Sequence, residues 1–253
     1  MTSPSSPQMS GLLAELLVEE GVQAVFLTGS QARGESDAWS DLDLSVLMTE
    51  DRLARNTVTY REGRLVSVER RTVRRREQAF TEPEAALWNL TSLQTGLALH
   101  DPDAVFAALQ ARARAFDWAE LEPVAQARAA VLVTDAAEEI HKVMGGLHAG
   151  DAGKVLYAAA GLTFSLGTAA LLSSGTLIST ENRYLTLAQG AWDDAAWHAA
   201  YGVLTGLTGA AVPERGRAAL HAYLRAVALT RWSAGPPPLA RETAARVRAF
   251  LAG

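Results

Sequence analysis

The spacing of apolar residues changes about halfway along the chain. After Ser10-Gly11, the run LLAELLVEEG places its apolar residues at helical intervals and stops at Gly21. VQAVFLTG follows as a β-branched and aromatic run that leads into a turn. DLDLSVLM then alternates apolar with polar residues, so two strands are predicted. TVTYREGRLVSVERRTV alternates on both sides of Arg61-Glu62-Gly63, which is the pattern of a hairpin. TEPEAALWNLTSLQ reads as a helix and GLALHD as a short strand. DPDAVFAALQARARAF reads as a helix capped by Asp101 or Asp103, with Pro102 near its first turn. Beyond about Glu120 the strand signals stop. Helices are predicted over 123–149, 152–173, 192–207, 213–232 and 239–251, with breaks at Ser173-Ser174-Gly175 and at GPPP, 235–238. The expected architecture is α+β: a small mixed sheet with flanking helices over 11–116, then an all-α helical bundle over 117–253.

Composition narrows this picture. The 253 residues are 49% hydrophobic and 20% charged, enough apolar material for a substantial core. There is no cysteine, which removes disulfides and thiolate metal sites. The first ten residues, MTSPSSPQMS, have neither a charged start nor an apolar centre and are expected to be a flexible tail rather than a signal peptide. Residues 155–172 carry no charge, but Gly161, Thr163, Ser165, Gly167 and Thr168 interrupt them. A spanning helix needs about 20 predominantly apolar residues, so this segment is expected to be the buried central helix of the bundle in a cytoplasmic protein with no membrane contact. The net charge is −5 and neither half has a basic surplus, so no nucleic-acid partner is expected.

Candidate chemistry concentrates in GSQARGESDAWSDLDLSVL, residues 29–47. On a strand, alternate residues share a face, so Asp41 and Asp43 point together while Leu42 and Leu44 point to the core. Two neighbouring carboxylates repel each other, and a hard divalent cation reverses that penalty. Upstream, a strand ends in Gly29-Ser30, with Arg33 just beyond. Glycine lets backbone N–H groups approach a phosphate, a hydroxyl adds a donor, and a helix start adds positive potential. A phosphate cradle followed by a metal-binding pair is the equipment of phosphoryl or nucleotidyl transfer.

Gly29-Ser30-x-x-Arg33 followed by Ser40-Asp41-x-Asp43 on a strand resembles the signature of the polymerase-β-type nucleotidyltransferase superfamily. Within it, the chain's length and helical second half are most similar to the kanamycin, or aminoglycoside, nucleotidyltransferase group. The resemblance implies transfer of a nucleoside monophosphate from ATP or another NTP to a hydroxyl of a small acceptor, possible aminoglycosides included, with loss of pyrophosphate. It also implies two Mg²⁺ ions and a homodimer as one way of sharing the acceptor site. Asp41, Asp43 and a third acid would hold metal, while Gly29, Ser30, Arg33 and Ser40 would hold the nucleotide. In LVSVERRTV, Ser67 and Glu69 share the face opposite Val66 and Val68, which makes Glu69 the candidate third carboxylate. The alternative for Glu69 is simple pairing with nearby arginines. Arg70, Arg71, Arg74, Arg75 and Arg76 follow closely, as a basic patch for RNA or as a solvated strand end with Arg71 facing the triphosphate.

The same group carries a glutamate base on the first long helix of its second domain and a phosphate-contacting lysine one turn later. TDAAEEIHKVMGG offers Glu138 and Lys142 at that spacing, with Glu139 as rival base. The plain alternative is a surface ion pair worth a few tenths of a kcal/mol. Among weaker signals, His100, His141, His148, His198 and His221 show no zinc spacing, Arg183 precedes an apolar segment, and Arg215 to His221 loosely fits the HEPN ribonuclease pattern. Two other functions stay open: a protein adenylyltransferase of antitoxin type, and a nucleotide-binding module without turnover.

Overall fold

The structure, a computed structural model, describes residues 7–253. It divides into two compact units, the first ending at Asp117 and the second running Trp118–Gly253. The first unit contains α1 (Pro7–Leu17), β1 (Val22–Leu27), α2 (Gly29–Ala32), β2 (Leu42–Met48), β3 (Thr57–Arg61), β4 (Arg64–Thr72), α3 (Val73–Glu77), α4 (Pro83–Thr95), β5 (Leu97–His100) and α5 (Val105–Ala115). The five strands form one mixed sheet in the order β3-β4-β2-β1-β5. Only β2 and β4 run parallel, with Asp43 beside Ser67 and Ser45 beside Glu69.

Alternation along these strands separates the two faces. Val25, Leu27, Leu42, Leu44, Val46, Val66 and Val68 pack with Met9 and Leu16 of α1 into one core. The other face carries Asp43, Ser45, Ser67 and Glu69, and there Phe26 stacks on Phe106 of α5 at a centroid distance of 4.0 Å. The β3–β4 hairpin closes through Glu62 and Gly63, both at positive φ (50° and 79°), the geometry of a two-residue turn whose twist matches its strands. Asp101 is the cap of α5, since its carboxylate accepts from Phe106 N at 3.1 Å and Ala107 N at 2.9 Å.

The second unit contains α6 (Glu122–Asp135), α7 (Ala137–Ala149), α8 (Ala152–Ser174), α9 (Tyr184–Gly190), α10 (Ala195–Thr205), α11 (Val212–Leu229) and α12 (Pro238–Ala252). α8 is at its centre, packed by α6, α7 and α11. It is the one helix among the described residues long and apolar enough to cross a membrane, and Leu162, Leu166, Ala169, Ala170, Leu171 and Leu172 are fully buried in the bundle. Its small residues have a packing cause. A Cβ at Gly167 would collide with the Tyr201 hydroxyl and lie 2.9 Å from that of Tyr184, and these hydroxyls donate to Thr163 O (2.8 Å) and Phe164 O (2.9 Å).

Several predicted boundaries shift, each for a local reason. α1 begins at Pro7, inside the expected tail, whose residues 1–6 lie outside the described residues. The helix predicted over 123–149 is two helices that meet at Ala136. Thr134 turns its hydroxyl back onto Ala130 O at 2.8 Å, a bond that bends helices. The helix predicted from 192 starts at Ala195, because the Asp194 carboxylate caps it by accepting from Trp197 N at 2.7 Å. Residues 184–190, predicted as part of a connecting segment, form α9. The supposed strand end at 73–77 forms α3, with Thr72 as its cap.

Candidate active site on the sheet of the first unit

The first strand and the carboxylate pair are built as one piece. Thr28 N donates to Asp43 O at 2.9 Å, which fixes the end of β1 beside the start of β2. Gly29 turns away at φ +68°, and a Cβ there would overlap Asp43 Oδ2 and lie 3.0 Å from its Cγ. Glycine is therefore needed twice, for a left-handed turn and for the space the Asp43 carboxylate fills. Ser30 follows in the single turn of α2. Arg33 ends that turn, and its Nε donates to Glu35 Oε2 at 2.9 Å. The residue predicted to meet phosphate is thus already tied to a neighbouring acid.

Ser40 and Asp41 enter β2 through a tight polar loop. Asp37 Oδ1 accepts from Trp39 N at 2.8 Å and from Ser40 Oγ at 2.9 Å, while Ser40 Oγ accepts from Asp37 N at 2.9 Å. These bonds hold the Asp37 carboxyl below the usual carboxylate range, the Ser40 hydroxyl being the largest cause. Arg64 clamps the same segment from β4. It donates from Nε and Nη2 to Ser40 O at 3.2 and 3.0 Å and from Nη2 to Asp41 O at 3.3 Å. Arg64 and Asp37 therefore hold the segment that carries the metal-type pair, and no periodicity in the sequence marks either residue for that role.

Glu69 shares the face of Asp43 but stands one pleat further along, level with Ser45. Arg76 Nη2 donates to Glu69 Oε2 at 2.6 Å and to Ser45 Oγ at 3.0 Å, and Arg71 Nε lies 3.2 Å from Glu69 Oε1. Arg76 itself is buried, with its guanidinium 5.8 Å from the Phe26 ring centroid. The pairing alternative thus describes Glu69 as it stands, and the structure does not gather it with Asp41 and Asp43. Among the described residues, no three His, Asp or Glu side chains form a group able to hold one ion. Asp41 and Asp43 by themselves suit Mg²⁺, which binds through one or two carboxylates and takes its remaining oxygens from substrate phosphates. The other arginines are also engaged: Arg70 with Glu19, Arg74 and Arg75 with Asp51. Each of the five arginines at the end of β4 thus has an acidic partner, with Arg74 and Arg75 sharing Asp51.

In the second unit, Lys142 on α7 lies 2.9 Å from Glu138 Oε1 and 2.8 Å from Glu139 Oε1. Both glutamates raise the Lys142 ammonium, Glu139 more, and Lys142 holds Glu138 below the usual carboxylate range. Glu139 packs against Gly161 of α8 and leaves Oε2 buried without a hydrogen-bond partner. Arg183 stands at the start of α9. Arg215 donates to Leu204 O at 3.0 Å, a structural use that leaves the HEPN-like spacing unsupported.

Comparison with known proteins bears on the first unit. No curated protein matches the chain. A solved nucleotidyltransferase-like protein from Exiguobacterium sibiricum 255-15 aligns over 95% of this chain and 77% of its own, at 14% identity and a TM-score of 0.49. The family model of the nucleotidyltransferase domain matches residues 9–96, the stretch from α1 to the end of α4 that holds the Gly29 turn, Asp41, Asp43 and Glu69. The N-terminal unit is a nucleotidyltransferase domain, and the helices of the second unit follow it.

Proposed function

We propose that this protein moves a nucleoside monophosphate, AMP from ATP, onto a hydroxyl of a small acceptor. The acceptor oxygen bonds to the α-phosphorus, the bond to pyrophosphate breaks in line with it, and the hydroxyl proton passes to a base. The observation that carries this reading is the fit of Gly29 against the Asp43 carboxylate, which joins a phosphate-type turn to a metal-type pair. Mg²⁺ held by Asp41 and Asp43 would neutralise charge on the phosphate oxygens. The chain's own part is positioning: the N–H groups of the Gly29-Ser30 turn face the phosphates, and Arg64 keeps Ser40 and Asp41 in place.

Glu138 is the proposed base on the strength of the family resemblance. A base works best with a pKa near the working pH; paired with Lys142 through Oε1 and held low, Glu138 is a weaker base than an unpaired glutamate. Glu139, with a buried unpartnered oxygen, is the rival. The deciding experiment is an ATP/Mg²⁺ screen against aminoglycosides, lincosamides and cell extract, with pyrophosphate release as readout. Asp43→Asn is expected to lower release at least about 100-fold, and equal rates for wild type and variant would overturn the proposal. One observation favours a second reading, a nucleotide-binding module without turnover: Glu69 is bound to two arginines rather than gathered with Asp41 and Asp43. Metal-dependent ATP binding with no pyrophosphate release on any acceptor would select it.

A further inference from the structure

The acidic face of the sheet continues past Asp41 and Asp43 to the β3 edge. Asp43 pairs with Ser67 and Ser67 with Val58, while Leu65 pairs with Tyr60. Asp41, one residue ahead of Leu42, falls in line with Leu65 and therefore with Tyr60, two strand spacings or roughly 10 Å away. Tyr60 is 76% exposed and Trp39 95%. Both line a cleft of about 670 Å³ together with Gln31, Ser40, Glu62 and Leu65, a size typical of small-molecule sites. Trp39 contributes no burial to the fold, yet Asp37 fixes its backbone through the bond to Trp39 N at 2.8 Å. Glu62 forms no ion pair among the described residues and sits in the turn at φ 50°.

The chemistry of displacement decides which substrate this cleft faces. An in-line reaction brings the acceptor oxygen to the phosphorus from the side opposite the leaving pyrophosphate. The Gly29-Ser30 turn lies on the β1 side of Asp43, and the cleft runs from Gln31 and residues 36–40 past that turn across Leu65 of β4 to Tyr60 of β3. With the phosphates at the turn, the acceptor reaches the carboxylates over the β3 edge. Asp37 and Glu62 stand with Arg64 around this cleft and offer acceptors to hydroxyl donors, while an exposed indole and phenol offer apolar faces.

We propose that Trp39 and Tyr60 form a platform on which a hydroxylated ring of the acceptor stacks, with Glu62 accepting from its hydroxyls. This rests on the nucleotidyl-transfer reading and makes the two aromatics positioning residues that select for ring-shaped acceptors.

The test uses the full chain without nucleotide or metal, so it is independent of turnover. Saturation-transfer NMR is recorded with methyl α-D-glucopyranoside, with the open-chain polyol sorbitol, and with adenosine. Ring C–H protons of the glucoside are expected to receive saturation from wild type and from Asp43→Asn. Trp39→Ala and Tyr60→Ala, checked for unchanged circular dichroism, are expected to reduce it at least about fivefold each, the scale of a lost stacking contact. Sorbitol is expected to stay near background. Undiminished transfer in either alanine variant, equal transfer to sorbitol, or stronger transfer to adenosine than to the glucoside would overturn the proposal. Ring binding that survives in Asp43→Asn, beside a failed pyrophosphate screen, would place the fault in the transfer reading rather than in the platform.

Discussion

At the residue scale, Glu69 shows how one side chain can satisfy a motif and still be used differently. Its place on the strand face follows from alternation, but its partners come from α3 and β4 and could not be read from spacing. Arg76 is buried, so Glu69 supplies the charge that allows a guanidinium beneath the sheet face. Removing one partner of a fully buried pair costs roughly 3–5 kcal/mol. Because Glu69 is about one-third exposed, Glu69→Gln is expected to cost about 2 kcal/mol in urea unfolding. The Mg²⁺ concentration that half-saturates ATP binding is expected to stay unchanged. Unchanged stability with a raised half-saturating Mg²⁺ concentration would instead make Glu69 a metal ligand. Gly29 is the opposite case. The sequence announces a glycine turn before a carboxylate strand, and the structure adds the reason that no other residue fits there.

At the element scale, capping decides where the helices begin and how they answer to acid. Asp194 caps α10 through Trp197 N and also accepts from Arg225 of α11, with Nε at 3.1 Å and a second bond from Nη2. The Arg225 bond, and after it the Trp197 N–H, hold this carboxyl below its usual value. A lowered pKa means that the contribution to stability is fully present above the unfolded carboxyl value, near 3.9, and is lost as pH falls through the folded value. The melting temperature is expected to fall as the pH drops below about 4, and Asp194→Asn, which keeps a capping oxygen, is expected to flatten that fall. An identical pH profile in the variant would show that Asp194 is not one of the groups responsible. The strands and most helices were legible because period 2 and period 3.6 dominate their sequences, as in DLDLSVL and in residues 213–229. The break at Ala136 and the short α3 and α9 were not. They depend on single hydroxyl bonds or one-turn caps, which leave no period. Likewise the Gly-Ser turn and the carboxylate pair were legible as a local motif, whereas Arg64 acts from a distant strand and the Asp37 loop is a single polar turn, and neither leaves a period.

At the scale of the whole molecule, each unit carries a core of its own. In the second, α8 is enclosed by α6, α7 and α11, and Trp197, Tyr201 and Tyr223 fill the space between the helices. Trp197 Nε1 donates to Ala188 O at 3.1 Å, so these aromatics lock helices together through polar tips as well as by area. α8 could span a bilayer by length and composition, but a lipid-facing helix would not bury its glycines and threonines against tyrosine hydroxyls from α9 and α10. Residues 118–253 alone are therefore expected to fold, with a helical far-ultraviolet spectrum and a single cooperative melt. Sedimented with phospholipid vesicles, this fragment is expected to stay in the supernatant, while Tyr201→Phe, which removes the bond to Thr163 O, lowers its stability by about 1 kcal/mol. Recovery with the vesicles, or a broad melt without a transition, would show that α8 needs either a membrane or the first unit to bury its apolar surface. A cooperative melt would allow the Glu138, Glu139 and Lys142 variants to be checked against the stability of the second unit's own core, apart from the variants of the first unit.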